Sequence, residues 1–229
     1  MAPGKLDRVA VIRALMGRRG LRRYLEIGVF NGHVLFRVRS RFKIAVDPHF
    51  RFGPARTLGK AIVNPTNLFN LYFEKTSDAF FEEDAPRALG KHGIEIVLVD
   101  GMHEYEQVLR DVDHVLDYLN PGGVIVLHDC NPRIAASAAP FAERGPGPWH
   151  GDVWRAVVHL RSLRDDLDVF VLDCDEGLGV VTRGRPRSRL RFTRAEIRLL
   201  GHDDLAARQR ELLGLEPPSF FEEFLEGAP

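Results

Sequence analysis

Between residues 20 and 184, short apolar runs alternate with stretches of helical spacing, the pattern of a mostly parallel sheet covered by helices on both faces. The runs are Tyr24 to Val29, Lys43 to Asp47, Leu71 to Lys75, Ile94 to Asp100, Val124 to His128 and Val169 to Asp173, with Gly179 to Thr182 just after. Tyr105, Val108, Leu109, Val112, Val115, Leu116 and Leu119 recur at three- and four-residue intervals and predict an amphipathic helix. Asn120-Pro-Gly-Gly ends it, because proline cannot continue a helix and glycine accepts the left-handed exit. Asp175-Glu-Gly177 is too short for a crossover helix, so the last two strands form an antiparallel hairpin. The expected sheet has seven strands, six parallel and one reversed. A helix over about Leu6 to Met16 precedes it, and Thr193-x-x-Glu196 and Ser219-x-x-Glu222 have capping-box spacing for short C-terminal helices. The expected organisation is an N-terminal helix in 1–20, the sheet domain in 21–184 and a helical extension in 185–229 packed on the same domain. His49 to Asn70 and Cys130 to Gly151 show no period and read as walls of a substrate pocket.

Composition narrows the classes. A chain of 229 residues, 45% hydrophobic and 28% charged, can bury one sizeable core. Lys plus Arg equals Asp plus Glu at 32 each, so no global field gathers nucleic acid or an anionic bilayer, and neither is expected as a partner. No run approaches the roughly 18 apolar residues of a membrane span. Met1-Ala-Pro-Gly-Lys lacks the apolar stretch of a signal peptide, so the expectation is a soluble, cytoplasmic protein. Cys130 and Cys174 provide neither a disulfide framework nor a thiolate zinc site. Arg183, Arg185, Arg187, Arg189 and Arg191 alternate in a segment that reads as a solvated linker or as a phosphate- or carboxylate-recognising face. Phe220, Phe221 and Phe224 form an apolar patch docked either on their own domain or on a second subunit, as in a homodimer. Trp149 can stack on an acceptor ring or pack in the core.

Candidate chemistry collects at strand ends. The first strand closes with Glu26-Ile-Gly28-Val-Phe-Asn-Gly32 and runs into an expected helix, in the place where an open parallel sheet binds ligands. The spacing is not G-x-G-x-x-G, and Glu26 would repel a pyrophosphate while suiting a cation. Asp47 ends the second strand, where a carboxylate accepts ribose hydroxyls. Asp78 in Thr76-Ser77-Asp78 either caps the next helix or meets an adenine amine. Together these acids describe a site for a positively charged nucleoside. The fourth strand delivers Asp100-Gly-Met-His103 and the fifth His128-Asp129-Cys-Asn131. A histidine there supplies a base of near-neutral pKa, His103 first and His128 otherwise.

In "YLEIGVFNGH", "AVDPHF", "VDGMHEYEQVLRDV" and "LNPGGVIVLHDCNP" the chain resembles class I S-adenosylmethionine-dependent methyltransferases over about Arg23 to Gly184, most of all small bacterial enzymes acting on sugars and secondary metabolites. The resemblance implies a Rossmann-like, doubly wound α/β fold with a reversed last strand. It implies that Gly28 and Gly32 face the methionine part of S-adenosylmethionine, Glu26 its ammonium, Asp47 the ribose, Ser77 and Asp78 the adenine, and that Asp100 borders the cofactor. Metal-dependent O-methyltransferases of the catechol type carry Asp-x-x-Lys and Asp-Asn at these strand ends. That similarity implies Asp100 and Asp129 as ligands of Mg²⁺ or a similar divalent cation, with Asn131 as a late amide ligand and His103 in the position of the base. The implied activity is methylation of a hydroxyl on a small-molecule acceptor, a sugar or natural product. An NAD-dependent oxidoreductase and a non-catalytic Rossmann-like module are the alternatives.

Overall fold

The computed structural model describes residues 6–227, so the expectation drawn from Met1 to Lys5 lies outside the described residues. Helix α1 (Arg8–Arg18) leads into a sheet whose strands are β1 (Arg23–Ile27), β2 (Phe42–Val46), β3 (Asn70–Phe73), β4 (Ile94–Val99), β5 (Leu119–Leu127), β6 (Leu167–Leu172), β7 (Leu178–Arg183) and β8 (Leu215–Glu216). Their order is β3-β2-β1-β4-β5-β7-β6-β8, with β7 antiparallel to both neighbours and the other pairings parallel. The reversal of strand order falls at β1 and β4. The architecture is the expected Rossmann-like α/β sheet, with the two-residue β8 as an eighth strand that no periodicity announces.

Strand alternation sorts the core into two layers. Leu25 and Ile27 of β1 face a layer shared with α3 (Ser77–Glu83), α5 (Tyr105–Tyr118) and α6 (Val153–Leu163). Ile197 of α7 (Arg194–Leu199) and Leu205, Leu212 and Leu213 of α8 (His202–Leu213) close that layer. Tyr24, between Leu25 and its outward neighbours, faces the second layer with α1 and Phe221 of the last helix, Phe220–Glu226. The C-terminal extension therefore packs on the same core. Phe220 and Phe224 both lie against Phe170 of β6, so the phenylalanine patch is docked on its own chain, the first of the two expected readings.

Three local expectations need correction. No α-helix follows Gly28: residues 30–37 form successive turns. The carbonyls at the end of this segment are satisfied from outside it: the buried Lys43 donates to the Leu35 and Val38 oxygens, and Asn64 and Asn67 donate to that of Phe36, while those of Gly32 and Val34 accept from the Phe36 and Val38 amides. A helix needs its carbonyls for its own ladder, and left-handed φ at Phe30 and Gly32 breaks it further. The unassigned stretch His49 to Asn70 contains helix α2 (Pro54–Val63) and a 3-10 turn, Pro65–Phe69. The expected capping box at Thr193 forms, with the Glu196 carboxylate accepting from the Thr193 N–H at 2.7 Å. At Ser219 it does not, because Ser219 itself is helical and makes no cap bond.

Candidate active site

One cavity of about 1010 Å³ runs along the carboxyl ends of β1, β2 and β4. At one end stand Asp47, Ser77, Asp78, Gln107 and Asp111, at the floor Glu26 and Gly28, and at the other end Asp100, His103, Trp149 and Arg8. Gly28 is at left-handed φ, and a Cβ there would lie 2.1 Å from the Asp100 carbonyl oxygen, so only glycine lets the ends of β1 and β4 meet.

Glu26 is fully buried on the Tyr24 side of the sheet, and the Tyr24 hydroxyl donates to its Oε2 at 2.6 Å. Burial, partly offset by that bond, pushes the Glu26 carboxyl up to about 8. No cation forms an ion pair with it among the described residues. Asp47 organises the neighbouring turn: its Oδ2 accepts from the Val29 and Phe30 amides at 2.8 and 2.7 Å, and its Oδ1 from His49 at 2.7 Å. Oδ1 keeps a lone pair for a ligand hydroxyl.

At the Asp47 end, Thr76 caps α3, not Asp78. Asp78 accepts from Gln107 at 3.1 Å, and Ser77 donates to Asp111 at 2.6 Å. Burial raises the Asp111 carboxyl to about 6, against the pull of its Ser77 and Gln107 bonds. Gln107 and Asp111 are site residues that motif reading missed. Their signal was available, because Asp111 falls three residues after Val108, on the apolar stripe of α5.

The other end holds a dense charge network. His103 Nδ1 lies 3.1 Å from Asp129 Oδ2, and its Nε2 lies 3.5 Å from Asp100 Oδ1. His128 Nδ1 lies 3.1 Å from Asp100 and 3.0 Å from Asp129, while its Nε2 meets the Arg8 guanidinium and lies 3.7 Å from Asp175. Arg8 also pairs with Asp175 at 3.1 Å and approaches Asp100 at 3.6 Å. Burial opposes the charge on His128, but Asp100, Asp129 and Asp175 outweigh it and raise the imidazole to about 11. Burial likewise works against Asp100, yet the bonds from His103 and His128 hold its carboxyl below the usual range. His103 is raised above its ordinary value, burial being overcome by Asp100 and Asp129. Asp129 itself sits at left-handed φ, a strained backbone at the network's centre.

Position decides between the two histidines. His103 borders the cavity and stacks on Trp149 at 5.4 Å, whereas His128 is not among the lining residues and lies behind the acids, its Nδ1 near Asp100 and Asp129 and its Nε2 against Arg8. His128 therefore does not face an acceptor in the cavity. Gly32 packs under Phe36 away from the cavity, and Asn131 ties its loop to the β6–β7 hairpin through the Glu176 carbonyl and Asp173. Asp100, His103 and Asp129 each present one donor atom within 4.8 Å of the others. A hard cation there would meet Arg8 and the His128 imidazolium on the same carboxylates. Arg8 and Asp175 were invisible to motif reading because only the fold brings them together across the chain.

Residues 25–130, which contain most of these groups, match the family model described as a methyltransferase domain. Over that span, just under half of its length, the chain is similar to a methyltransferase domain. Its fold is that of the O-methyltransferase TomG from Streptomyces achromogenes, involved in tomaymycin synthesis and solved with SAM, at 16% identity over 76% of this chain and 78% of that one, TM-score 0.56. An O-methyltransferase from Bacillus cereus, solved with SAH, matches at 10% identity over 80% and 84% of the two chains, TM-score 0.54. An uncharacterized protein of Acanthamoeba polyphaga mimivirus is 30% identical over 116 residues, 46% of this chain and 50% of that one, so the chain spans half the length of this curated relative. Arg8, Asp175 and the Trp149 wall all stand outside the span that matches the family model.

Proposed function

We propose that the cavity binds S-adenosylmethionine and that the protein methylates a hydroxyl of a small acceptor, a sugar or natural product, using His103 as base. The observation that carries this reading is the buried Glu26 carboxyl, without an ion-pair partner among the described residues, at the cavity floor between the hydroxyl-accepting Asp47 and the imidazole of His103. Glu26 favours an ammonium or sulfonium beside it, Asp47 the ribose, and Ser77 with Asp78 the adenine edge. The cofactor, when bound, supplies an electrophilic methyl group on a sulfonium. The protein then has two tasks: holding the acceptor oxygen in line, a positioning effect of about 7 to 11 kcal/mol, and removing its proton. His103 takes that proton, and Asp100 and Asp129 stabilise the imidazolium that results. Trp149, whose indole N–H donates to the Ala139 carbonyl, fixes the His103 ring by stacking. Asp100 and Asp129 act in this reading as partners of imidazole, with no step assigned to a metal ion.

A dinucleotide is disfavoured by the backbone. Pyrophosphate binding in dinucleotide folds uses the N-terminus of a helix directly after the first strand. Here that segment is a series of turns with Glu26 beneath it. Thermal melting decides between the readings: S-adenosylhomocysteine raises the melting temperature, by the equivalent of about 2.7 kcal/mol at a hundredfold excess over Kd, and NAD does not. Stabilisation by NAD alone overturns the reading. Stabilisation by S-adenosylhomocysteine without turnover on any hydroxyl acceptor assigns a binding module.

A further inference from the structure

Helix α2 does not belong to the core it flanks. Of its residues only Ala61 is buried, while Leu58, Ile62 and Val63 are 65%, 81% and 75% exposed, and Leu68 and Phe69 of the following 3-10 turn are 66% and 56% exposed. At about 100° per residue, Leu58, Ile62 and Val63 follow one another around an exposed arc that ends with Val63 opposite the buried Ala61, so the outward surface is apolar rather than a solvated polar face. Isolated exposed leucines are ordinary, but five large apolar groups on one short helix and its adjoining turn are not.

The charge around this face is of one sign. From Pro48 to Phe73 the sequence contains no Asp or Glu, while Arg51, Arg56 and Lys60 are exposed and none is ion-paired among the described residues. Asn64 and Asn67 hold the chain at Phe36 and Val38 against the same region, which brings the exposed Arg37 and Arg39 alongside. The balance of 32 cations and 32 anions over the whole chain thus conceals a local cationic rim.

We propose that α2 and the turn after it form a docking face for a membrane surface containing anionic phospholipid. An interfacial helix places apolar side chains at the acyl boundary and extends Lys and Arg toward the headgroups. Leu58, Ile62 and Val63 supply the first group, and Arg56 and Lys60, at the edge of the outward face, the second. Self-association is opposed by the same charges, since a two-fold contact through this face sets each cationic rim near its copy with no acid from the segment to offset it. The inference is independent of the reaction chemistry.

Co-sedimentation of the full chain with vesicles of phosphatidylcholine, alone or mixed with phosphatidylserine, tests it. The wild type partitions to the phosphatidylserine vesicles at least about tenfold more strongly, with a preference that declines as salt rises. Leu58→Ser with Ile62→Ser abolishes binding without lowering the melting temperature. Arg56→Gln with Lys60→Gln weakens it by about fivefold per cation. The emission of an Ile62→Trp variant shifts to the blue on the mixed vesicles, which reports insertion without relying on the serine variant. Equal partitioning to both vesicle types, or none, overturns the proposal, as does binding that survives the serine substitutions. A dimer in vesicle-free solution that those substitutions dissolve also overturns it and gives the face to a second copy.

Discussion

Glu26 is the residue with the strongest pH consequence. Its carboxyl rises from 4.5 in the unfolded chain to about 8 in the fold, so the fold binds its proton more tightly. The stability this contributes is complete below about pH 4.5 and disappears as the pH rises to about 8, on the order of 1.4 kcal/mol per pH unit. Glu26→Gln removes the ionisation, so the variant's melting temperature in the absence of ligand gains on the wild type across that interval, while its affinity for S-adenosylhomocysteine falls. A constant difference between the two melting curves over the interval contradicts the assignment. His103 carries a kinetic counterpart. A base works deprotonated, and its pKa lies above the ordinary value, so turnover rises with pH through a limb above 6.5. His103→Ala lowers kcat by about 10² to 10⁴ with cofactor affinity unchanged, and removes that limb. Because imidazoles rather than a hard cation neutralise Asp100 and Asp129, EDTA leaves kcat unchanged; loss of activity on chelation, restored by Mg²⁺, returns those acids to the role of ligands.

At the scale of elements, Lys43 shows how one buried side chain replaces a helix. It is fully buried in β2, burial lowers its pKa to about 8, and it binds the carbonyls of Leu35 and Val38 and the amide oxygen of Asn67. Lys43→Met leaves these acceptors unpaired in the interior and destabilises the protein by about 3 kcal/mol, measured by urea denaturation; a change below 1 kcal/mol shows that water replaces the ammonium. The sequence pattern displays β2 but not this bond, since a lysine within an apolar run carries no mark of where its ammonium ends. The parallel strands, the hairpin and α5 were legible because burial imposes period 2 or 3.6 on them. The turn at residues 30–37 was not, because long-range donors from β2 and from Asn64 and Asn67 override local helical preference there. The site divides in the same way. Glu26, Asp47, Asp100 and His103 stand at strand ends, where topology alone points them at a ligand. Asp111 had a trace in its misplaced polarity on α5, and Arg8 had none.

At the scale of the molecule, the reaction end is assembled from segments far apart in the chain. Asp100, His103 and Asp129 come from the span that matches the methyltransferase model, Asp175 from the β6–β7 hairpin, and Arg8 from α1, with no intervening loop long enough to make their meeting a local event. Gly151 seals the wall, since a Cβ there would lie 1.7 Å from the His103 carbonyl oxygen. The other end of the cavity, by contrast, draws Asp47, Ser77, Asp78, Gln107 and Asp111 from the stretch between β2 and α5. Residues 25–130 by themselves consequently lack Arg8, Trp149 and Asp175. Arg8, whose guanidinium spans Asp100 and Asp175, behaves as the latch of a clasp. Any change that loosens the opening helix, such as a bulky fusion partner placed ahead of it, unfastens the acids and detunes their imidazole, while the far end of the cavity, which Arg8 does not touch, keeps its shape.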